Sequence, residues 1–400
     1  MLKDFFEILQ LIFFVYIAGT VAELFILSFA SLFPYRPKLI DDGKYRKIAL
    51  LIPAYNEDVV IHEVLKSASE QEYPKDKFDI IVIADHFNDK TIQELKKLDI
   101  ILFDKDFEIS TKSRALNFAL KRLPENYEIA CILDADNIMQ NNFLKYINKS
   151  FAAGYKVVQG HRTAKNLNTN FALLDAISEE INNNIFRKGF RILGMSSSLI
   201  GSAMAFEYLD FKKMMAEIEV VGGFDKEIEM KLVSNKIVTE YLPHVYVCDE
   251  KVQNAEVFTK QRRRWLSAQF HFFGKNFIPA LKSLFKERNL EYFFKAMIYI
   301  QIPRILLLGI LILLVPLSLL INPIEWTIAW GAVLTAIFFV FAFAIPRKFY
   351  NFRLLKALLT IPKGMVMMTI SLLSLNRGKK KFIHTKHTYN AFQIKKHNKH

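Results

Sequence analysis

The sequence predicts an α/β protein, a sheet with helices on both faces, held to a membrane by long apolar helices near either end. Three observations predict it. Between Tyr45 and Trp265, short apolar runs, polar turns and helix-patterned stretches alternate, the pattern of parallel strands joined by crossover helices. Acidic and amide residues of this region gather just after the apolar runs, at the edge where such sheets bind ligands. Hydrophobic residues make up 52% of the 400 and mean hydropathy is +0.16, more apolar than a soluble chain needs.

The first apolar run, Ile8 to Phe33, is long enough to cross a bilayer as a helix. Its amino end sets Lys3 against Asp4 and Glu7 and no small-residue cleavage site follows, so it reads as a retained anchor rather than a secretory leader. A strand from Lys47 to Ile52 stops at the turn Pro53, Ala54, Tyr55, Asn56, Glu57, and helical spacing runs from Val59 to Ser69. A second strand, Phe78 to Ala84, ends in Asp85, with a helix from Thr91. Polar residues Ser110 to Ser113, including Lys112, lead into a helix from Arg114 to Leu123.

The next strand begins at Ile129 and ends abruptly in two carboxylates one residue apart, Asp134 and Asp136, before a helix from Asn141. Hard divalent cations such as Mg²⁺ or Mn²⁺ take one or two carboxylates plus substrate phosphates. The pair is therefore expected to hold such an ion on the diphosphate of a nucleotide-activated substrate. Singly, each residue here also suits a turn or a helix cap. Their shared edge favours a binding site.

Val157 to Thr163 is another strand-like run, residues 171 to 192 are helix-patterned, and residues 194 to 206 are rich in small residues that allow a backbone to approach a ligand. Gly222 and Gly223 then open a helix, FDKEIEMKL, with three acids in its first turns. These suit the helix dipole or a general base. Gln261, Arg262, Arg263, Arg264 and Trp265 follow, readable as an interfacial belt.

Two late spans, Ala296 to Ile321 and Trp326 to Ile345, form a hairpin, whereas Leu354 to Leu375 carries Pro362 and Lys363 at its centre. A proline and a charge there are costly in lipid, and basic clusters follow each of the three late and early runs. The positive-inside rule then makes the last run interfacial or re-entrant, with the middle domain and the tail cytoplasmic. The expected divisions are an anchor at 1–43, the α/β domain at 44–252, interfacial helices at 253–295, the hairpin at 296–346, and an interfacial helix with a basic tail at 347–400. The net charge of +14 points to membrane lipids rather than nucleic acid, since no aromatic-interleaved basic motif or zinc spacing is present. Cys131 and Cys248 sit in apolar stretches and read as reduced core residues.

Four blocks in order, PAYNE with ADHFND, DADN, GGFDKEIEMKL and QRRRW, resemble the family 2 inverting glycosyltransferases of GT-A fold, of the membrane-embedded type that includes cellulose, chitin and hyaluronan synthases. The resemblance implies a Rossmann-like mixed sheet and places a nucleotide-sugar donor, a uridine one by analogy, on Ala54, Asn56, Glu57, Asp85, Lys112 and Asp134, with the metal on Asp134 and Asp136. It implies Gln261 and Trp265 at the acceptor and Arg264 at the pyrophosphate. Counting back from Leu232 to the family's base gives Glu229, with Glu227 as the fallback, because Ile228 and Glu229 stand where Glu and Asp are usual. Phe382 to Lys386 resembles the family's cytoplasmic gating segment. The function implied is transfer to a growing β-linked polysaccharide or other glycan at a bacterial cell membrane. Alternatives are single transfer to a polyprenyl phosphate or glycolipid, and an inactive scaffold of an export assembly. Three spans are few for a polysaccharide channel, so a homo-oligomer or export partner is expected with the polymer.

Overall fold

The computed structural model describes residues 2–218 and 222–373. An apolar helix, α1 (Leu2–Ala30), leads by an extended linker to β1 (Ile48–Tyr55), α2 (Ile61–Ser69), β2 (Phe78–Asp85), α3 (Asp89–Leu95) and β3 (Ile101–Asp104). Next come α4 (Lys112–Leu120), β4 (Ile129–Ile132), β5 (Ile138–Met139), α5 (Phe143–Ala152) and β6 (Val157–Ala164). Helix α6 (Asn170–Asn182) passes through a π-helical segment, Asn183–Gly189, into α7 (Phe190–Ile192). Then follow β7 (Met204–Glu207), α8 (Tyr208–Ala216), α9 (Phe224–Ser234) and β8 (Thr239–Asp249).

The strands form one sheet in the order β3-β2-β1-β4-β7-β6-β8-β5. Its first half, β3 to β4, is parallel. The parallel sheet expected from the alternation is this half, and the mixed sheet that the resemblance implies is completed by β7, which runs antiparallel to both β4 and β6. This strand is four residues long and lies inside the small-residue stretch, so neither its length nor its neighbours announced a strand. Successive residues of β1 serve opposite faces, as the pleat requires. Leu50 and Ile52 pack with Val64 of α2 and Phe143 of α5, whereas Ala49 and Leu51 pack with Leu116 of α4 and Phe211 of α8. Burial on both faces explains why these strands read as unbroken apolar runs.

Beyond the sheet lie α10 (Ala255–Glu287), α11 (Leu290–Ile298), α12 (Arg304–Ile321), α13 (Ile324–Ala344), α14 (Phe352–Leu358) and α15 (Ile361–Leu373). Among the described residues, three helices are long and apolar enough to cross a membrane: Asp4–Ala30, Arg304–Ile321 and Ile324–Ala344. The span expected from Ala296 therefore starts later. Pro303 is the N-cap of α12, and a proline disfavours helix in the residue before it. Within the described residues the last apolar run forms two helices, of 7 and 13 residues. The gating-like segment Phe382 to Lys386 lies outside the described residues.

A shared core joins the membrane helices to the sheet domain. Ile17, Leu24 and Leu27 of α1 share a core with Ile177 and Ile181 of α6, Ile185 and Phe190, and with Trp330 and Ile337 of α13. The closest approach is at Gly189, where a Cβ would stand 2.5 Å from the Leu27 carbonyl oxygen. Backbone cannot yield as a side chain tip can, so Gly189→Ala is expected to cost about 1–3 kcal/mol. The readout is a lower melting midpoint in detergent, with Gly194→Ala, which meets nothing within 4 Å but has φ +81, as a backbone-strain comparison.

Candidate active site

The carboxyl ends of β1 and β2 and the loop after β4 contribute to one cavity of about 2060 Å³. From β1 come Ala54, Tyr55 and Glu57, and from β2 comes Asp85. Asp85 is buried, and its Oδ1 accepts from the Phe107 backbone N–H at 3.2 Å and lies 2.6 Å from His86 Nδ1. Asn56 differs from its neighbours: it is exposed, has φ +53, and is not part of the cavity lining. Its backbone N–H bonds the Asp85 carbonyl at 3.0 Å, so it shapes the turn that sets Glu57 inward.

The acid pair is held by its own loop. Asn137, fully buried, accepts from the Asp134 backbone N–H at 3.1 Å and donates to Asp136 Oδ1 at 3.0 Å, while Ser202 Oγ donates to its Oδ1. Asp136 Oδ2 accepts from the Glu250 backbone N–H at 2.9 Å. Both carboxylates line the cavity. Lys112, the first residue of α4 after its Thr111 cap, donates to Asp134 Oδ1 and to the Gly201 carbonyl. The amide of Asn137 and the loop carbonyl of Gly201 are positioning groups that the sequence displayed within DADN and the small-residue stretch, without any signal for the contacts they make.

Opposite stands α9. Gly223, at φ +72, caps it in the left-handed conformation that favours glycine, and a Cβ there would meet Phe272 of α10 at 2.8 Å. The glycine thus lets the acid-bearing end of α9 close on α10. Among the described residues, Asp225 alone of the three acids forms no ion pair. It lines the cavity beside Gly201, where a Cβ would be 3.6 Å from Asp225 Cγ. Burial raises its pKa, against Lys226 and Lys112, which lower it.

Of the two acids expected as bases, Glu229 also lines the cavity and Glu227 does not. Glu229 is clamped: Lys295 Nζ lies at 2.7 Å, Lys226 Nζ at 3.1 Å, Ser198 Oγ donates at 2.8 Å and the Leu199 N–H at 3.2 Å. Burial works to raise its pKa, but the two ammonium groups prevail and hold it down at about 2. Glu227 is buried and pairs with Lys275 at 2.6 Å, and it is not part of the cavity lining.

The first turns of α10 close the chamber. Gln261, Arg262, Arg263, Arg264 and Trp265 all line it. Gln261 Oε1 is buried with no hydrogen-bond partner, a group that a bound hydroxyl satisfies. Burial opposes the charged form of Arg264, and the carboxylates of Asp134 and Asp225 favour it. Arg262 donates to Asp175 Oδ1 at 2.7 Å and lies 4.4 Å over the Trp265 ring. Beneath the acid pair is a network the sequence gave no sign of, since its members come from three elements: Arg162 pairs with Glu179 at 2.9 Å and Asp249 at 3.3 Å, and Lys251 with Asp249 at 2.6 Å. Burial, with Asp136 and Glu179 nearby, lifts Asp249 to about 6 against these cations.

A strand-edge acid pair, flanking cations and a facing carboxylate thus share one cavity beneath the apolar helices. The chain belongs to the glycosyltransferase-like family 2, whose model matches residues 46–268. It is 26% identical over 265 residues to the probable glycosyltransferase YdaM of Bacillus subtilis, covering 62% of this chain and 61% of the relative. It is 23% identical over 270 residues to the poly-β-1,6-N-acetyl-D-glucosamine synthase of Staphylococcus epidermidis, covering 62% of each. The match thus spans under two thirds of either relative. Among solved structures it is similar to a mannosyltransferase from Pyrobaculum calidifontis in complex with GDP-mannose and Mn²⁺, with TM-score 0.57, 17% identity, and 90% of this chain and 99% of that one covered. The fold is the GT-A type, a mixed sheet with flanking apolar helices.

Proposed function

We propose that the protein is a membrane-bound inverting glycosyltransferase in which Asp225 is the general base. The observation that carries this is the cavity that sets the Asp225 carboxyl across from Asp134 and Asp136, with Lys112 and Arg264 between them. A hydroxyl of the acceptor attacks the anomeric carbon of the donor sugar and gives its proton to Asp225. The bond from that carbon to the diphosphate oxygen breaks, and the nucleoside diphosphate leaves with the electron pair. A single displacement inverts the anomeric centre, so an α-linked donor yields a β-glycoside.

Lys112 and Arg264 stabilise the charge that grows on the leaving diphosphate. Asp134 and Asp136 fit a divalent ion: both are carboxylates lining the same cavity, the hard oxygen donors that such an ion takes. Bound there, Mg²⁺ or Mn²⁺ supplies Lewis-acid stabilisation of the leaving group. Ala54, Glu57 and Asp85 form the wall nearest β1 and β2 and receive the nucleoside. Gln261 offers its free amide oxygen to an acceptor hydroxyl, and the Trp265 ring, 38% exposed, offers a face for a sugar ring. We place this chamber on the cytoplasmic side of a bacterial cell membrane, supported by the basic residues around α1 and α14.

The test uses full-length protein in detergent, a panel of nucleotide sugars, and release of nucleoside diphosphate. Turnover of one donor is expected, abolished by chelation and restored by Mn²⁺. Asp134→Ala is expected to lose about 10²-fold or more in turnover by removing charge stabilisation at the leaving group, with its melting midpoint retained because Asp134 is a third exposed (35%). Metal-independent turnover of every donor would refute the ion site.

A further inference from the structure

The cavity is larger than a nucleotide sugar needs, and its two ends differ. Ligand pockets for small molecules run about 300–1,000 Å³, against about 2060 Å³ here. Away from the acid pair the lining turns apolar: Leu174 and Ile181 of α6, Phe341 of α13, Leu354 and Leu358 of α14, and Met368 of α15. These belong to, or pack on, the helices that carry the apolar surface. Leu358 is 41% exposed, so the apolar end opens outward, beside Leu355, Leu359 and Val366, which are also exposed. A water-soluble sugar has no use for this wall. A hydrocarbon chain entering sideways from a bilayer does.

At the junction of the polar and apolar ends sits Arg304, the first residue of α12. Its Nη2 donates to Asn182 Oδ1 at 2.7 Å, and its guanidinium lies 5.5 Å from the Phe186 ring centroid. Nη1 is buried with no hydrogen-bond partner, and among the described residues Arg304 forms no ion pair. A buried cation without a counter-ion is costly unless an anion meets it. Its neighbour Arg262 has a buried Nε without a partner as well. The α12 amino terminus adds its own positive end to the same place.

We propose that the acceptor is a lipid-linked phosphate: its hydrocarbon chain fills the apolar end, its phosphate meets Arg304, and a sugar hydroxyl beyond the phosphate reaches Asp225. The proposal rests on the transferase reading above and names the acceptor for it. The same step then applies, with the hydroxyl proton passing to Asp225 and the nucleoside diphosphate leaving. The glycan grows on a membrane carrier, and no polysaccharide channel within one subunit is required.

Farnesyl phosphate is the probe, titrated calorimetrically into the full-length protein in detergent, with farnesol and inorganic phosphate as partial probes. A separate titration with nucleoside diphosphates and Mn²⁺ reports the donor site. Farnesyl phosphate is expected to bind, and either part alone far more weakly. Arg304→Gln is expected to weaken farnesyl phosphate by about ten- to hundredfold, the loss of one charge-assisted bond, with Arg304→Lys recovering part of it. Leu358→Trp, which narrows the apolar end without touching the cation, gives a second loss if the chain lies there. Binding of a nucleoside diphosphate without farnesyl phosphate binding overturns the lipid acceptor and leaves the transferase standing. Failure of every nucleoside diphosphate overturns the transferase reading itself. Inorganic phosphate binding as tightly as farnesyl phosphate, or affinity indifferent to Arg304→Gln, overturns the lipid-phosphate site.

Discussion

Asparagine at position 225 is expected to lower kcat by about 10²–10⁴, the usual worth of a positioned general base, while KM for the donor changes little. The side chain keeps its size and loses only the ability to take a proton. Donor affinity rests on Lys112, Asp134 and the wall around Asp85, none of which hydrogen-bonds to Asp225. The pH profile gives an independent check. Burial raises the Asp225 pKa, and the base must be ionised to act, so the acid limb of kcat/KM is expected above the ordinary aspartate value of about 3.9. Below that limb the rate falls tenfold per unit. Initial rates of nucleoside diphosphate release across pH, in wild type and Asp225→Asn, measure both. A variant with normal kcat, or one that fails only in donor KM, would remove Asp225 from the base role.

The architecture was legible because burial on both faces writes itself into sequence. Strands β1, β2 and β4 are covered by helices above and below, so each is a continuous apolar run that halts where the backbone meets a polar cavity. The same halting points exposed Glu57, Asp85, Asp134 and Asp136, all of which line that cavity. Two strands left no such trace: β3, at the sheet edge, is only partly buried, and β7 begins within the small-residue stretch. Asn56 shared the position of its neighbours in sequence but turns outward at positive φ, a backbone fact with no compositional sign. The acids of α9 were the hardest to rank. A helix turn separates Asp225 from Glu229, both line the cavity, and what sets Glu229 apart is its ion pair with Lys295, far along the chain on α11. No spacing rule within α9 contains that lysine.

Glutamine at position 229 is expected to act on stability rather than chemistry. Glu229 and Lys295 are 4% and 2% exposed, and the pair ties α9 of the sheet domain to α11 of the helical roof. Removing one partner of a buried pair strands the other, at a cost of about 3–5 kcal/mol. Lys226, at 30% exposed, has water within reach, so Lys295 carries most of the penalty. Glu229→Leu combined with Lys295→Met is therefore expected to regain much of the loss, since apolar groups of similar volume often replace such pairs at no net cost. The sign of the pH effect follows from the depressed carboxyl, about 2 in the folded protein against 4.5 as the ordinary value. A depressed acid lends stability that is complete above about 4.5 and drains away as pH falls toward 2. The gap in melting midpoint between wild type and Glu229→Gln is expected to be full at neutral pH and to narrow through that window. The folded fraction of Glu229→Gln should still turn over donor at a rate near wild type. A stable, folded Glu229→Gln protein that has lost turnover would return the proton-accepting role to Glu229 and take it from Asp225.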